Sequence, residues 1–73
     1  MKILITGGCG FVGTNLALFL NKYYKIDCLD NLSRKGSKYN LSLLKKKKIN
    51  NYNIDLKSFD NLKKLPRYDI ILD

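Results

Sequence analysis

The segment Ile3-Leu4-Ile5-Thr6-Gly7-Gly8-Cys9-Gly10-Phe11-Val12-Gly13 sets the tightest limit on what this chain can fold into. An apolar run too short for a helix leads into glycines at positions 7, 8, 10 and 13 and then into apolar residues at helical spacing. This order predicts a strand, a tight turn and a helix. The glycines satisfy a G-x-x-G-x-x-G spacing from Gly7 and a G-x-G-x-x-G spacing from Gly8, and either register describes a dinucleotide-binding turn. Such a turn needs glycine because the chain reverses within a few residues and must let a pyrophosphate approach its main chain. The helix that follows points free N–H groups and the positive end of its dipole at the phosphates, an anion site that needs no lysine.

The rest of the chain continues the alternation. Residues 2 to 6 form the first strand, apolar at consecutive positions as expected for a central strand with both faces covered. Residues 11 to about 22 form a helix with a broad buried face, on which Phe11, Val12, Leu16, Ala17, Phe19 and Leu20 are expected. Residues 25 to 29 form the second strand, ending at Asp30, and Ser37 is expected to cap a helix running through Leu41, Leu43 and Leu44 into the lysines. Tyr52-Asn53-Ile54 reads as a third strand, Ser58 or Asp60 as the start of a short helical turn stopped by Pro66, and 68 to 73 as the start of a fourth strand. This β-α-β-α-β-α-β order predicts an α/β, Rossmann-type parallel sheet with right-handed crossovers and strand order 3-2-1-4. Ligands of such sheets sit at the carboxyl ends of the strands, where the order reverses.

Composition narrows the partners. The 73 residues carry 14 Lys+Arg against 6 Asp, with neither Glu nor His, a formal charge of +8. Apart from Lys45 to Lys48 the basic residues are spread along the chain, and the five tyrosines have no spacing that builds a stacking platform, which argues against nucleic acid. The lysine run falls where the second helix ends, where its dipole favours cations. Cys9 and Cys28 make no disulfide framework and read as reduced thiols. No apolar run approaches the ~20 residues of a membrane span, and no secretory leader precedes the first strand, so a cytoplasmic location is expected.

Asp30 lies 22 residues after Gly8, close to the ~20-residue offset at which a carboxylate accepts the ribose hydroxyls of NAD. A carboxylate there favours NAD over NADP, whose extra phosphate would meet a like charge, although Arg34 nearby is of a type that accepts that phosphate. Asp55 is placed to meet the adenine amino group or to cap its own turn. Asp27 and Asp69 read as solvated strand residues.

Ile5-Thr6-Gly7-Gly8-Cys9-Gly10-Phe11-Val12-Gly13-Thr14-Asn15-Leu16, taken with Asp30-Asn31-Leu32-Ser33-Arg34, resembles the N-terminus of the NAD-dependent epimerase/dehydratase family, extended short-chain dehydrogenases acting on nucleotide sugars. Within it, Asp30 to Ser37 followed by Asn40-Leu41 is similar to the CDP-paratose (CDP-tyvelose) 2-epimerases, more than to UDP-glucose 4-epimerases or dTDP-glucose 4,6-dehydratases. The resemblance implies that Gly7, Gly10, Phe11, Val12 and Gly13 hold the pyrophosphate. It also implies that Asp30, Asn31, Ser33 and Arg34 surround the adenosine ribose and that Asp55 and Leu56 meet the adenine. It implies a homo-oligomeric enzyme that oxidises a sugar carbon by hydride transfer to bound NAD and then returns the hydride.

That chemistry uses, in the family, a tyrosine four residues before a lysine. The residues four after Tyr23, Tyr24, Tyr39, Tyr52 and Tyr68 are Asp27, Cys28, Leu43, Leu56 and Leu72, so no catalytic residue is assigned within this chain. Residues 1–73 are therefore expected to be part of an NAD-binding Rossmann domain, inactive by itself, with the sugar-binding domain elsewhere. The competing expectation is a small non-catalytic module that binds dinucleotide or nucleic acid.

Overall fold

The computed structural model describes residues 1–54, 63 and 65–73. The elements run β1 (Lys2–Thr6), α1 (Phe11–Leu20), β2 (Lys25–Leu29), α2 (Ser37–Lys46), β3 (Asn50–Tyr52) and β4 (Ile70–Leu72). The strands form a parallel sheet in the order β3-β2-β1-β4. This is the Rossmann-type α/β arrangement that the alternation of apolar segments predicts. β1 lies in the middle because it pairs along its full length with β2, from Lys2 opposite Lys25 to Thr6 opposite Leu29, and on its other edge with β4.

The pleat divides the side chains between two faces. Ile3 and Ile5 from β1 and Ile26 and Cys28 from β2 pack with Ala17 of α1, Leu44 of α2, Cys9 and Ile49 in one core. Leu44 is fully buried, worth roughly 2 kcal/mol of apolar burial, and it anchors α2 to this face. α2 then stops where Lys48 takes a left-handed conformation, φ 60°, while the N–H groups of Lys48 and Ile49 donate to the Lys45 and Leu44 carbonyls. The exposed lysines occupy this end of the helix, as its dipole favours.

Several expectations need correction. α1 ends at Leu20, two residues early, because the N–H groups of Tyr23 and Tyr24 both turn back to the Leu20 carbonyl. Its buried face is narrower than the apolar pattern suggests: Thr14 and Ala17 are buried, whereas Phe11, Val12 and Phe19 are exposed. Ser37 does not cap α2. Gly36, at φ 87°, occupies that position, and the Ser37 hydroxyl donates to the Arg34 carbonyl to close the preceding turn. β3 lies two residues before Tyr52-Asn53-Ile54 because buried Ile49 brings the chain onto the sheet, placing Asn50, Asn51 and Tyr52 opposite Asp27, Cys28 and Leu29. Asp27 is 2% exposed rather than solvated, since its strand position faces the second side of the sheet, where Tyr68 covers it. Asp69 is exposed, and its carboxylate accepts the Lys2 N–H. The helical turn expected around Ser58 and Asp60 lies outside the described residues.

Candidate functional site

At the carboxyl edge of the sheet, β1 runs into the glycine turn. Gly7 takes φ +68°, a left-handed conformation that side chains disfavour, and its N–H donates to the Leu29 carbonyl at 2.7 Å, tying the turn to the end of β2. Gly10 donates to the Gly7 carbonyl at 3.0 Å and forms the N-cap of α1. A side chain at Gly13 would overlap the Gly7 carbonyl oxygen, so the first turn of the helix lies directly on the loop. Gly8 serves another purpose: a Cβ there would lie 2.5 Å from the Cys28 sulfur, so it is the seat of the turn on the core. The structure thereby separates the two glycine registers, with Gly7, Gly10 and Gly13 shaping the turn and Gly8 packing beneath it.

No side chain caps α1, and no acidic residue sits in its first turn. Thr14 makes the first intrahelical bond, to Gly10 at 2.9 Å, leaving the N–H groups of Phe11, Val12 and Gly13 without helical acceptors. The Thr14 hydroxyl donates to the Gly8 carbonyl at 2.8 Å and ties the helix down to the turn.

These groups face a cleft of about 680 Å³ between the ends of β1, β2 and β4. Its lining includes Gly7, Gly10, Phe11, Val12 and Gly13 from the turn and helix, and Asp30, Asn31, Ser33 and Arg34 from the end of β2 and the loop after it. Nine of the eleven residues expected at a cofactor site thus meet in one place. Asp55 and Leu56 lie outside the described residues, although Ile54, just before them, also lines the cleft.

Asp30 is 9% exposed, and both its oxygens accept backbone N–H groups. Oδ2 accepts from Cys9 at 3.0 Å and Oδ1 from Leu32 at 2.8 Å. Each carboxylate oxygen has a second lone pair, so the group can still accept hydroxyls from the cleft. Asn31 accepts the Ser33 N–H at 3.2 Å in an Asx turn that leads the loop around the rim, where Ser33 and Arg34 are exposed. Below the turn the two thiols are buried. Burial, and then the Asp30 charge, raise the Cys9 thiol to about 11. Burial, then the neighbouring Cys9, Asp27 and Asp30, raise the Cys28 thiol to about 12. Both are packing residues rather than nucleophiles.

Sequence reasoning missed the side chains that hold the turn from outside. Asn40 donates to the Cys9 carbonyl at 2.8 Å, and Asn51 donates to the Asp30 carbonyl at 3.3 Å. Asn40 stands in the pattern that carries the resemblance, but nothing local to either residue signals its bond, because both act across long sequence separations.

The arrangement suits a dinucleotide. Free N–H groups at a helix start await an anion, the glycine cradle is one a Cβ would fill, and a carboxylate stands at the adjoining strand end. Among the described residues, no group of His, Cys, Asp or Glu is placed to hold a metal ion, and no helix is long and apolar enough to cross a membrane.

Comparison with known proteins agrees with this geometry. Residues 3–72 match the family described as "NAD dependent epimerase/dehydratase family". A curated relative, CDP-paratose 2-epimerase of Salmonella typhi, is 58% identical over 45 residues, which are 60% of this chain and 13% of the relative. The UDP-Glc/GlcNAc 4-epimerase of Campylobacter jejuni superposes with a TM-score of 0.79 at 39% identity, covering 96% of this chain and 22% of that one. A variant of UDP-glucuronic acid 4-epimerase from Bacillus cereus, in complex with UDP-4-deoxy-4-fluoro-glucuronic acid and NAD, gives 0.82 at 27% identity, covering 97% and 25%. The chain therefore spans about a quarter or less of the length of these relatives. Turn, cleft and family match agree, and the chain belongs to the NAD-dependent epimerase/dehydratase family.

Proposed function

We propose that residues 1–73 are the NAD-binding start of a nucleotide-sugar epimerase of the CDP-paratose 2-epimerase kind. The observation that carries the cofactor assignment is the meeting, in one cleft, of the uncapped start of α1 with the Asp30 carboxylate. In this reading the N–H groups of Phe11, Val12 and Gly13 receive the pyrophosphate, while Gly7 and Gly10 let it approach the backbone. Asp30 accepts the adenosine ribose hydroxyls, Asn31, Ser33 and Arg34 close around that ribose, and Asp55 with Leu56 reaches the adenine. When bound, NAD supplies a hydride acceptor for a sugar carbon and gives the hydride back. The chain's own part is to bind and orient, because the sequence holds no tyrosine four residues before a lysine. The catalytic pair and the sugar-binding domain are assigned to the remainder of the polypeptide.

The 58% identity to a CDP-paratose 2-epimerase favours a CDP-activated sugar, whereas the structural likeness to a UDP-hexose 4-epimerase at 39% identity supports the competing substrate. Incubating the longest natural polypeptide that carries this chain with CDP-paratose and, separately, with UDP-glucose decides between them. Inversion at C2 of the CDP-sugar, followed by NMR, is the expected result. Inversion at C4 of UDP-glucose alone would move the protein to the UDP-sugar epimerases.

A further inference from the structure

The pair Asn40-Leu41 contributes to the family resemblance, yet Asn40 does not line the cleft and has no part in the cofactor reading above. We propose that Asn40 is a positioning residue for the cofactor turn: its side chain fixes the peptide through which the chain enters α1 and so aims the first-turn N–H groups of that helix. The inference rests on the reading of the cleft as an NAD site.

The Cys9–Gly10 peptide is bonded at both ends. Its carbonyl accepts Asn40 Nδ2 at 2.8 Å, and its N–H donates to the Gly7 carbonyl at 3.0 Å. One bond earlier, the Cys9 N–H is held by Asp30 Oδ2 at 3.0 Å, and the Cys9 side chain is fully buried. The peptide leading into the N-cap therefore cannot turn without breaking a bond to another element. That restraint matters because Gly10 has no side chain to limit its own backbone, and no cap fixes the helix start.

Asn40 is suited to the task by where it stands. It lies in the first turn of α2, its N–H donating to the Gly36 carbonyl at 3.1 Å, and fully buried Leu44 anchors the next turn to the sheet. The loop leading into α2 carries Ser33 and Arg34 at the rim of the cleft. One rigid helix thus holds the turn on the phosphate side and the loop on the ribose side, so Asn40 joins the two halves of the site.

The test compares NAD dissociation constants, by calorimetric titration of the natural polypeptide, for the wild type, Asn40→Ala and Asn40→Asp at about pH 7.5 and about pH 4.5. At the higher pH both variants should bind roughly tenfold more weakly, the scale of one lost hydrogen bond that leaves a carbonyl unpaired. At the lower pH about a fifth of an aspartic acid with the ordinary pKa of about 3.9 is protonated and can donate where asparagine did. The Asn40→Asp deficit relative to wild type should then shrink from about tenfold to about fourfold, while that of Asn40→Ala stays. A loss of packing alone would not recover with protonation. Wild-type affinity in Asn40→Asp at pH 7.5, or an equal deficit at both pH values, would overturn the role of Asn40 while leaving the NAD reading intact. Failure of the folded wild type to take up NAD would remove that reading and the inference with it. Should Asn40→Ala not fold, the ratio of Asn40→Asp to wild type still decides.

Discussion

On the face of the sheet that carries Ile3, Ile5, Ile26 and Cys28, helices α1 and α2 close over the strands, and the turn above them has its backbone tied by Leu29, Asp30 and Asn40. On the opposite face, which also holds Asp27, Leu4 lines a mostly apolar groove of about 450 Å³ with Leu29, Leu65, Pro66, Tyr68 and Ile71. Ile71 is 63% exposed there, among the described residues. Asp27 is buried on that side, where Oδ2 accepts the Tyr68 hydroxyl at 2.7 Å and, among the described residues, Oδ1 meets no hydrogen-bond partner. The contrast shows where the order of the cofactor turn originates. Among the described residues it comes from the helical face, within residues 1–54, through the Leu29 carbonyl, Asp30 and Asn40.

The sharpest way to break that contrast is to push a side chain into the finished face. Gly13→Val would drive its side chain against the Gly7 carbonyl, and we expect a stability loss of about 2 to 3 kcal/mol together with loss of measurable NAD uptake. Thermal melting and calorimetry report the two effects separately, and a variant that melts and binds like wild type would show that the turn is not close-packed. Asp30→Ala should cost about 1 to 3 kcal/mol of NAD affinity, the scale of a lost charge-assisted partner. It should also lower the melting temperature, because the Cys9 and Leu32 N–H groups lose their acceptor.

The far face should respond in the opposite sense. Asp27→Leu removes a buried carboxylate with an oxygen unpaired among the described residues and should raise stability by about 1 kcal/mol with NAD affinity unchanged. Tyr68→Phe, which removes the hydroxyl that Asp27 Oδ2 accepts, should lower it by about 1 kcal/mol, again without touching affinity. An affinity change in either variant would mean that the two faces are coupled.

The last expected effect is on pH dependence, and it is confined to alkaline solution. The thiols, ordinarily near 9, sit at about 11 for Cys9 and about 12 for Cys28 in the fold. Burial and the hydrogen bond to Asp27 also push the Tyr68 hydroxyl upward. In each case the unfolded chain releases its proton at a lower pH than the folded one, so stability falls as pH rises from about 9 through the folded-state value. Melting curves between about pH 8 and 11 should show this decline, and Cys9→Ala with Cys28→Ala should flatten it.

The strands β1, β2 and β4, the helices α1 and α2, the strand order and nine residues lining the cleft were legible because they follow from local pattern: a β-branched run, glycines at a fixed spacing, and a carboxylate at a strand end. What escaped depends on partners far away in sequence. Asn50-Asn51 lacks the β-branched signal of a strand and pairs because β2 offers an open edge, with the Asp30 N–H donating to the Tyr52 carbonyl. Asp27 was misread because alternation with Ile26 and Cys28 looks like a solvated face. In a parallel sheet both faces are covered, and that same alternation instead buries the carboxylate. Phe11 and Val12 are apolar at helical spacing yet exposed, because the start of α1 faces the cleft and not the core.

That the glycine turn and Asp30 together hold NAD can be measured by calorimetric titration of the natural polypeptide with NAD and with NADP, alongside Asp30→Ala. One NAD per chain is expected, with weaker binding of NADP because its 2′-phosphate meets the Asp30 carboxylate, and a narrowed preference in the variant. A folded protein that takes up no NAD, or whose NAD affinity is the same with Ala at position 30, would contradict it.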